Sequence, residues 1–554
     1  MVIVNNIIKL ILFFFSKQKY NTNMSEFTIQ LLENENADFQ NPLHPILSEV
    51  KMKINNIQLD NETIEIFENP NSVFGILEVS VSETKKTTHP IYLKFDIDTS
   101  ASMSDIVTNV KTKINFVQKT IESMCHFIAE QKELVIYINV CTFDSHYNLI
   151  IPTTRITLEN RYELIEKINN LEVDGCTNIE KAFLQSSKVI EEYKFENPTH
   201  KIVYILLTDG NPTAGNCFPS YLSSIKPDAL NKCIGYGIDH NAKLLNSWGE
   251  YYFINDYENT GKIYGEILHR LIYPALENIE ICVKNGAIYN SVTNSWDSSI
   301  VEKEMYSEQK RTFHIQMNKN EKIEVDISGK VVGSIENEVE DGEGELLITT
   351  TNHHLCRLTR TETTDLTKYM FRQKTQELLF ESVKTTQENS FSEIFKTKLN
   401  VFFKKMRCYM RTHNLLEDPF MKLLCDDILV LYKTSGKHYA EMYSISRHQS
   451  QTNETPYRVT SSQVDNDFTE HLYSCTNSIQ RQHCQMHYCQ TQFYEDEDIE
   501  TIDVCININE DENINDKDNP DDPDDITNYV SNIEEDVYAK DTIIKTMRQI
   551  SGTL

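Results

Sequence analysis

The stretch FDIDTSASMSD, Phe95 to Asp105, sets three aspartates, one threonine and three serines at the end of the apolar run IYLKFDI. A run of that kind predicts a buried strand, and the stripe beyond it predicts a helix. In a parallel α/β sheet, ligands bind outside the carboxyl ends of the strands, where loops lead into helices. Two other stretches fall at the same kind of position. Asp209 follows the strand candidate KIVYILLT in the sequence TDG, and Thr177 lies in the turn GCTN that opens a second helix. If these strands are neighbours, Asp98, Ser100, Ser102, Thr177 and Asp209 converge as two carboxylates and three hydroxyls. Oxygen donors of this kind are the ligand set of a hard cation, Mg²⁺ or Mn²⁺.

Outward from this motif, residues 89–276 read as an α/β domain. The strand candidates IYLKFDI, LVIYINVCTF, KIVYILLT and KCIGYGI alternate with helix-period segments, which predicts a doubly wound, mostly parallel sheet. Ile106, Val110, Ile114, Val117, Ile121, Met124 and Ile128 predict one helix, and Ile179, Ala182, Phe183, Ser186, Val189 and Ile190 a second. A third is expected near GKIYGEILHRLIYPAL. On either side the pattern alternates with period two, over 26–88 and again over 277–360. These two segments are expected to pair into one β-sandwich, with the α/β domain inserted in it. Helical patterns return over 361–447, and 448–554 is poor in apolar residues, so a mostly disordered acidic tail is expected there.

The 554 residues exceed what one core usually serves. The formal net charge is -30, which argues against nucleic acid as a partner because phosphate would be repelled over most of the surface. Between Glu495 and Asp541 stand 19 acidic and two basic residues, so the rest of the chain is only mildly acidic. Thirteen cysteines, odd in number and widely spaced, suit reduced thiols and a cytoplasmic location. Residues 1–25 form an apolar extension. Its run VIVNNIIKLILFFF is broken by Asn5, Asn6 and Lys9, which meets the requirements of neither a membrane span nor a signal peptide, and Met24 offers an alternative start.

The order Asp-x-Ser-x-Ser at Asp98, Ser100 and Ser102, then Thr177 in Gly-x-Thr-Asn, then Asp209 in Thr-Asp-Gly resembles the von Willebrand factor A domain and its metal ion-dependent adhesion site. That resemblance covers residues 89–276. It implies that Ser100, Ser102 and Thr177 are hydroxyl ligands of Mg²⁺ or Mn²⁺, with Asp98 and Asp209 in or just outside the inner shell. It also implies an open coordination position, completed by a Glu or Asp of a partner protein, and adhesion without turnover. Ala101 and Cys176 stand where many members have glycine; neither change removes an oxygen ligand. Some such domains have lost the metal, so a metal-free scaffold is the alternative. The wider layout resembles plant RING-finger proteins with A domains. No cysteine precedes Cys125, so the zinc module is missing and a ubiquitin-pathway role is unsupported.

Other motifs read more plainly. Asp96-x-Asp98 is similar to the nucleophile motif of haloacid dehalogenase-like phosphatases, but Ser100 stands where Thr or Val belongs. Asp96 is therefore expected to be a strand residue, paired locally or turned to solvent, and Asp105 a favourable first-turn helix charge. Cys475, His483, Cys484, His487 and Cys489 lack the paired C-x₂-C spacing of a zinc site. His353, His354 and Cys356 read as a strand end. The acidic run EDENINDKDNPDDPDD has no register that meets the EF-hand pattern.

Overall fold

The computed structural model describes residues 43–55, 72–108, 111–255, 260–333, 339–340, 346–347, 352–385, 389–455, 461, 464, 526, 529 and 541–551. The apolar extension, the 475–489 cluster and the whole of the run EDENINDKDNPDDPDD lie outside them.

Two strands open the described chain, β1 (Leu47–Asn55) and β2 (Ser72–Val81), paired antiparallel. The α/β domain follows, with β3 (Ile91–Asp98), α1 (Lys113–Glu130), β4 (Ile136–Phe143), β5 (Tyr147–Arg155), α2 (Arg161–Asn169), α3 (Ile179–Glu196), β6 (Lys201–Thr208), α4 (Pro219–Ile225), β7 (Leu230–Tyr236), α5 (Ala242–Trp248), β8 (Glu250–Ile254) and α6 (Thr260–Ile272). Its sheet has the order β8-β7-β6-β3-β4-β5 and is parallel throughout except for β5. β3 is central and all eight of its residues are buried, which is why its run shows no alternation. β5 carries Pro152, a residue that suits an edge strand because it cannot donate to a ladder.

The chain then leaves the α/β domain directly from α6 into β9 (Pro274–Lys284), followed by β10 (Gly286–Asn290), β11 (Ser295–Asp297), β12 (Ser299–Tyr306), β13 (Lys310–Asn318), β14 (Glu324–Val331), β15 (His353–Leu358) and β16 (Glu362–Thr364). β2 pairs with β13 along nine residues, so strands on both sides of the α/β domain share one sheet, ordered β11-β10-β13-β2-β1-β16. A second sheet, β12-β9-β14-β15, shares an apolar core with it that includes Leu77, Val79, Ile281, Ile315, Val325 and Leu355. His353, His354 and Cys356 sit in β15, and His354 Nε2 is 2.7 Å from Asp326 Oδ1.

Helices α7 (Thr367–Thr385), α8 (Asn389–Thr412), α9 (Pro419–Thr434) and α10 (Ala440–Asn453) come next. Phe371, Leu379, Phe403, Met410, Leu424 and Ile428 are among their buried residues. The expected tail is corrected at both ends. α10 runs on to Asn453, with Gln451 fully buried, and α11 (Asp541–Ser551) docks on the α/β domain. Ile543, Met547 and Ile550, spaced by four and three, bury one stripe against it. The helices meet at Gly265 of α6, where an added Cβ would lie 2.6 Å from Met547 Cα. No described helix is long and apolar enough to cross a membrane.

Candidate functional site

The helix expected straight after the motif starts later than its apolar spacing suggested. Residues 101–104 form a short 3₁₀ turn, and 106–108 pair with 111–112 in a small hairpin. Ile106, the first member of the predicted stripe, is 71% exposed in that hairpin. α1 begins only at Lys113, where Thr112 and Asn115 form a capping box, with the Thr112 N–H donating to Asn115 Oδ1 at 3.0 Å. Asp105 is consequently not a first-turn helix charge; it sits beside Lys113, 3.2 Å from its Nζ.

β3 and β6 are neighbours in register, so Asp98 and Asp209 both emerge at the carboxyl end of the sheet. The loop that carries Thr177 is tied to the motif loop by Asp174 N donating to Thr99 O at 2.8 Å and Ala101 N to Gly175 O at 3.2 Å. Gly175 has φ of 81° and lies so near Ser145 that a Cβ would be 2.9 Å from its hydroxyl, so this turn needs glycine. The Thr177 backbone also receives Thr213 N at 2.9 Å, and its N–H donates to Thr213 Oγ1 at 2.9 Å.

All five residues expected at the site are thus placed around one end of the sheet. Asp98, Ser100, Thr177 and Asp209 are buried and Ser102 is half-buried. Asp98 Oδ1 accepts the Ser100 N–H at 2.9 Å, and Asp98 Oδ2 accepts the Thr208 hydroxyl at 2.6 Å. Ser100 Oγ and Ser102 Oγ are 3.2 Å apart, and Ser102 Oγ donates to Asp209 Oδ1 at 2.8 Å. The Thr177 hydroxyl faces Gly210, 3.7 Å from where a Cβ would stand. Burial, and then the Asp209 charge, push the Asp98 carboxyl up to about 7, against the pull of its hydrogen bonds.

These spacings fit a small divalent ion. In an octahedron with metal–oxygen distances of about 2.0–2.1 Å, adjacent oxygens lie about 2.9 Å apart, and the Ser100–Ser102–Asp209 oxygens stand at 3.2 and 2.8 Å. Two carboxylates match the charge of such an ion. Among the described residues no group of three or more His, Cys, Asp or Glu side chains is placed to hold a metal, so any ion here would depend on the hydroxyls.

Two participants were missed in the sequence. Thr208 ends the run KIVYILLT, and its hydroxyl beside Asp209 is the sequence signal for it. Lys113 gave none: its Nζ is 2.7 Å from Asp209 Oδ2, with only 9% of the side chain exposed, yet in sequence it is one lysine inside the predicted helical stripe, between Val110 and Ile114.

Asp96 is a strand residue paired locally, with Lys94 two residues before it, and is more fully enclosed than that pairing alone required. Its carboxylate is fully buried and takes bonds from Lys94 Nζ at 2.5 Å, Ser186 Oγ at 2.6 Å, Tyr204 OH at 2.7 Å and Tyr147 OH at 3.0 Å. Enclosed in that way, it is neither turned to solvent nor presented as the nucleophile a phosphatase would need.

Residues 95–211 match the family model described as the von Willebrand factor type A domain. This segment is a von Willebrand factor A domain. The structure is similar to the von Willebrand factor type A protein from Catenulispora acidiphila, with 14% identity and a TM-score of 0.43, covering 71% of this chain and 92% of that one. It is similar also to the ArnB paralog VWA2 from Sulfolobus acidocaldarius, with 15% identity and a TM-score of 0.41, covering 73% and 98%. Proximal thread matrix protein 1 from the mussel byssus, in a form whose motif is described as zinc-occupied, matches at 18% identity and a TM-score of 0.26, covering 34% and 47%. No curated protein matches the chain. A domains often mediate protein–protein interaction and often hold a divalent metal.

Proposed function

We propose that the carboxyl-end face of the A-domain sheet is a protein-docking surface that engages a Glu or Asp of a partner through Mg²⁺ or Mn²⁺. Ser100, Ser102, Thr177, Asp98 and Asp209 would hold the ion. The observation that carries this reading is the pair of buried carboxylates beside hydroxyl oxygens at octahedral-edge spacing. Bound there, the ion would supply positive charge to an incoming carboxylate. The rim adds apolar contact area, since Ile106 is 71% exposed and Phe218 67% exposed on loops at that end of the sheet. We place this binding activity, without turnover, in the cytoplasm, on the dilute and odd-numbered cysteines.

Titration of Mg²⁺ and Mn²⁺ into the full chain by calorimetry, beside Thr177→Ala and Asp209→Ala, tests the reading. Saturable heat in the wild type and its loss in both variants is the expected result. Equal heat in all three would place the ion elsewhere and sink it.

One observation favours a second reading, a metal-free interaction scaffold: the Lys113 ammonium already sits against Asp209. Under that reading neither metal binds, and chelator leaves partner capture unchanged.

A further inference from the structure

The oxygen cluster proposed to hold a divalent ion already has a cation at its edge. Asp209 divides its carboxylate, with Oδ1 accepting the Ser102 hydroxyl at 2.8 Å and Oδ2 accepting Lys113 Nζ at 2.7 Å. Lys113 has a second acceptor within reach, Asp105 Oδ2 at 3.2 Å. The two acceptors differ in setting: the Asp209 side chain is fully buried, whereas that of Asp105 is 42% exposed.

We infer that Lys113 is a built-in rival for the divalent ion, holding Asp209 while the site is ion-free and withdrawing to Asp105 when the ion binds. This rests on the metal reading above and adds what regulates that site. Three features carry it. The backbone of Lys113 is fixed, because it is the first residue of a capped helix whose Ile114, Val117 and Ile121 are in the core. The side chain is not so restricted, since a lysine is a point charge on a flexible four-carbon stem and can exchange one carboxylate for a neighbour. The charges also decide the matter. Asp98 and Asp209 together balance a divalent ion, and an ammonium kept on the same carboxylate would add like-charge repulsion at close range in a poorly solvated site.

Lys113 has an identifiable electrostatic surrounding. Burial works against its charge, and Asp209, Asp105 and Asp239 outweigh that and raise it. The nearby His240 imidazole is pushed down to about 3 by burial and then by Lys113 itself, so it adds no second positive charge beside the lysine. Asp105 is the acceptor within hydrogen-bond distance on the solvent side.

The test is calorimetry with Mg²⁺ alone, on the full chain, comparing wild type, Lys113→Gln, Asp105→Asn and the double variant, each checked for folding by circular dichroism. Removing the rival should tighten Mg²⁺ binding at least tenfold in K113Q. Removing its retreat should weaken binding several-fold in D105N, and that loss should shrink in the K113Q background, because the two residues act through one ion pair. Equal affinity in wild type and K113Q overturns this inference and leaves the metal reading intact. No binding by either overturns both. If K113Q does not fold, D105N carries the test, and unchanged or tighter binding by D105N overturns the inference.

Discussion

Asp96 and Asp98 stand two residues apart on one strand, both fully buried, and their surroundings are opposite in kind. Asp96 is closed, with an ammonium and three hydroxyls directed at it from β3, β5, α3 and β6. Asp98 is left open. Its hydrogen bonds come from Ser100 and Thr208, with a second carboxylate nearby in place of a cation; burial, and then the Asp209 charge, hold its proton up to about 7. Burial is the same for both, so what separates a structural charge from an available one here is whether the fold supplies the counter-charge.

The largest effect expected from this difference is on stability. Breaking a buried ion pair by removing one partner costs about 3–5 kcal/mol, so Lys94→Met should lower the unfolding free energy by about that amount in urea titrations. Asp98→Asn removes a charge that lacks a paired cation, so in chelator it should be at least as stable as the wild type. If Asp98→Asn is as damaging as Lys94→Met, the two aspartates are alike and the comparison fails.

A smaller effect is expected in acid, where a third buried cluster behaves like Asp96. Arg270 contacts Glu250, at 2.6 Å, and Glu304, joining the A domain to β12. Burial alone would raise Glu304, but Arg270 and then Lys232 outweigh it and hold its carboxyl down to about 2; Glu250 is lowered by the same two cations. A depressed folded value means the stabilisation is present above the ordinary unfolded value of about 4.3 and is lost as pH falls from there toward about 2. Thermal melts should therefore drop across that window, and Glu304→Gln should flatten the drop. An unchanged slope in the variant would show that the cluster contributes nothing to the boundary.

How much of this was legible follows from the kind of signal each residue leaves. Fully buried parallel strands such as β3 and β6 are uninterrupted apolar runs, and polar residues at their carboxyl ends stand out against them, so the five oxygen-bearing residues could be read in order. β5 and β8 were missed: β5 is an edge strand entered by a tight turn, and β8 is only five residues long. Lys113, and the hydroxyls that enclose Asp96 beyond its local Lys94 partner, were unreadable for another reason. These contacts join side chains that are distant in sequence, Lys113 with Asp209 in one case and Asp96 with Ser186 and Tyr204 in the other, and no local period encodes such a meeting. The α11 stripe, by contrast, was present at Ile543, Met547 and Ile550 but obscured by the acidic residues before it.

A matched pair of serine deletions gives the finest test of the closed and open sites. Ser186 and Ser102 each donate one hydroxyl to an aspartate, at 2.6 and 2.8 Å. A hydrogen bond to a buried charged group is worth about 1.5–3 kcal/mol, and Ser186 is fully buried, so no water can replace it once it is gone. Ser186→Ala should therefore cost about that much stability and leave Mg²⁺ binding intact. Ser102 is half-buried at the mouth of the site, where water can take over its bond to Asp209, so Ser102→Ala should change stability by less than about 0.5 kcal/mol. Its cost should fall on the ion, because the Ser102 oxygen is the corner that bridges Ser100 to Asp209. The two variants thus exchange phenotypes under the same chemical change. If Ser102→Ala lowered the melting temperature as far as Ser186→Ala did, the open end of the sheet would be a structural cluster like the one around Asp96.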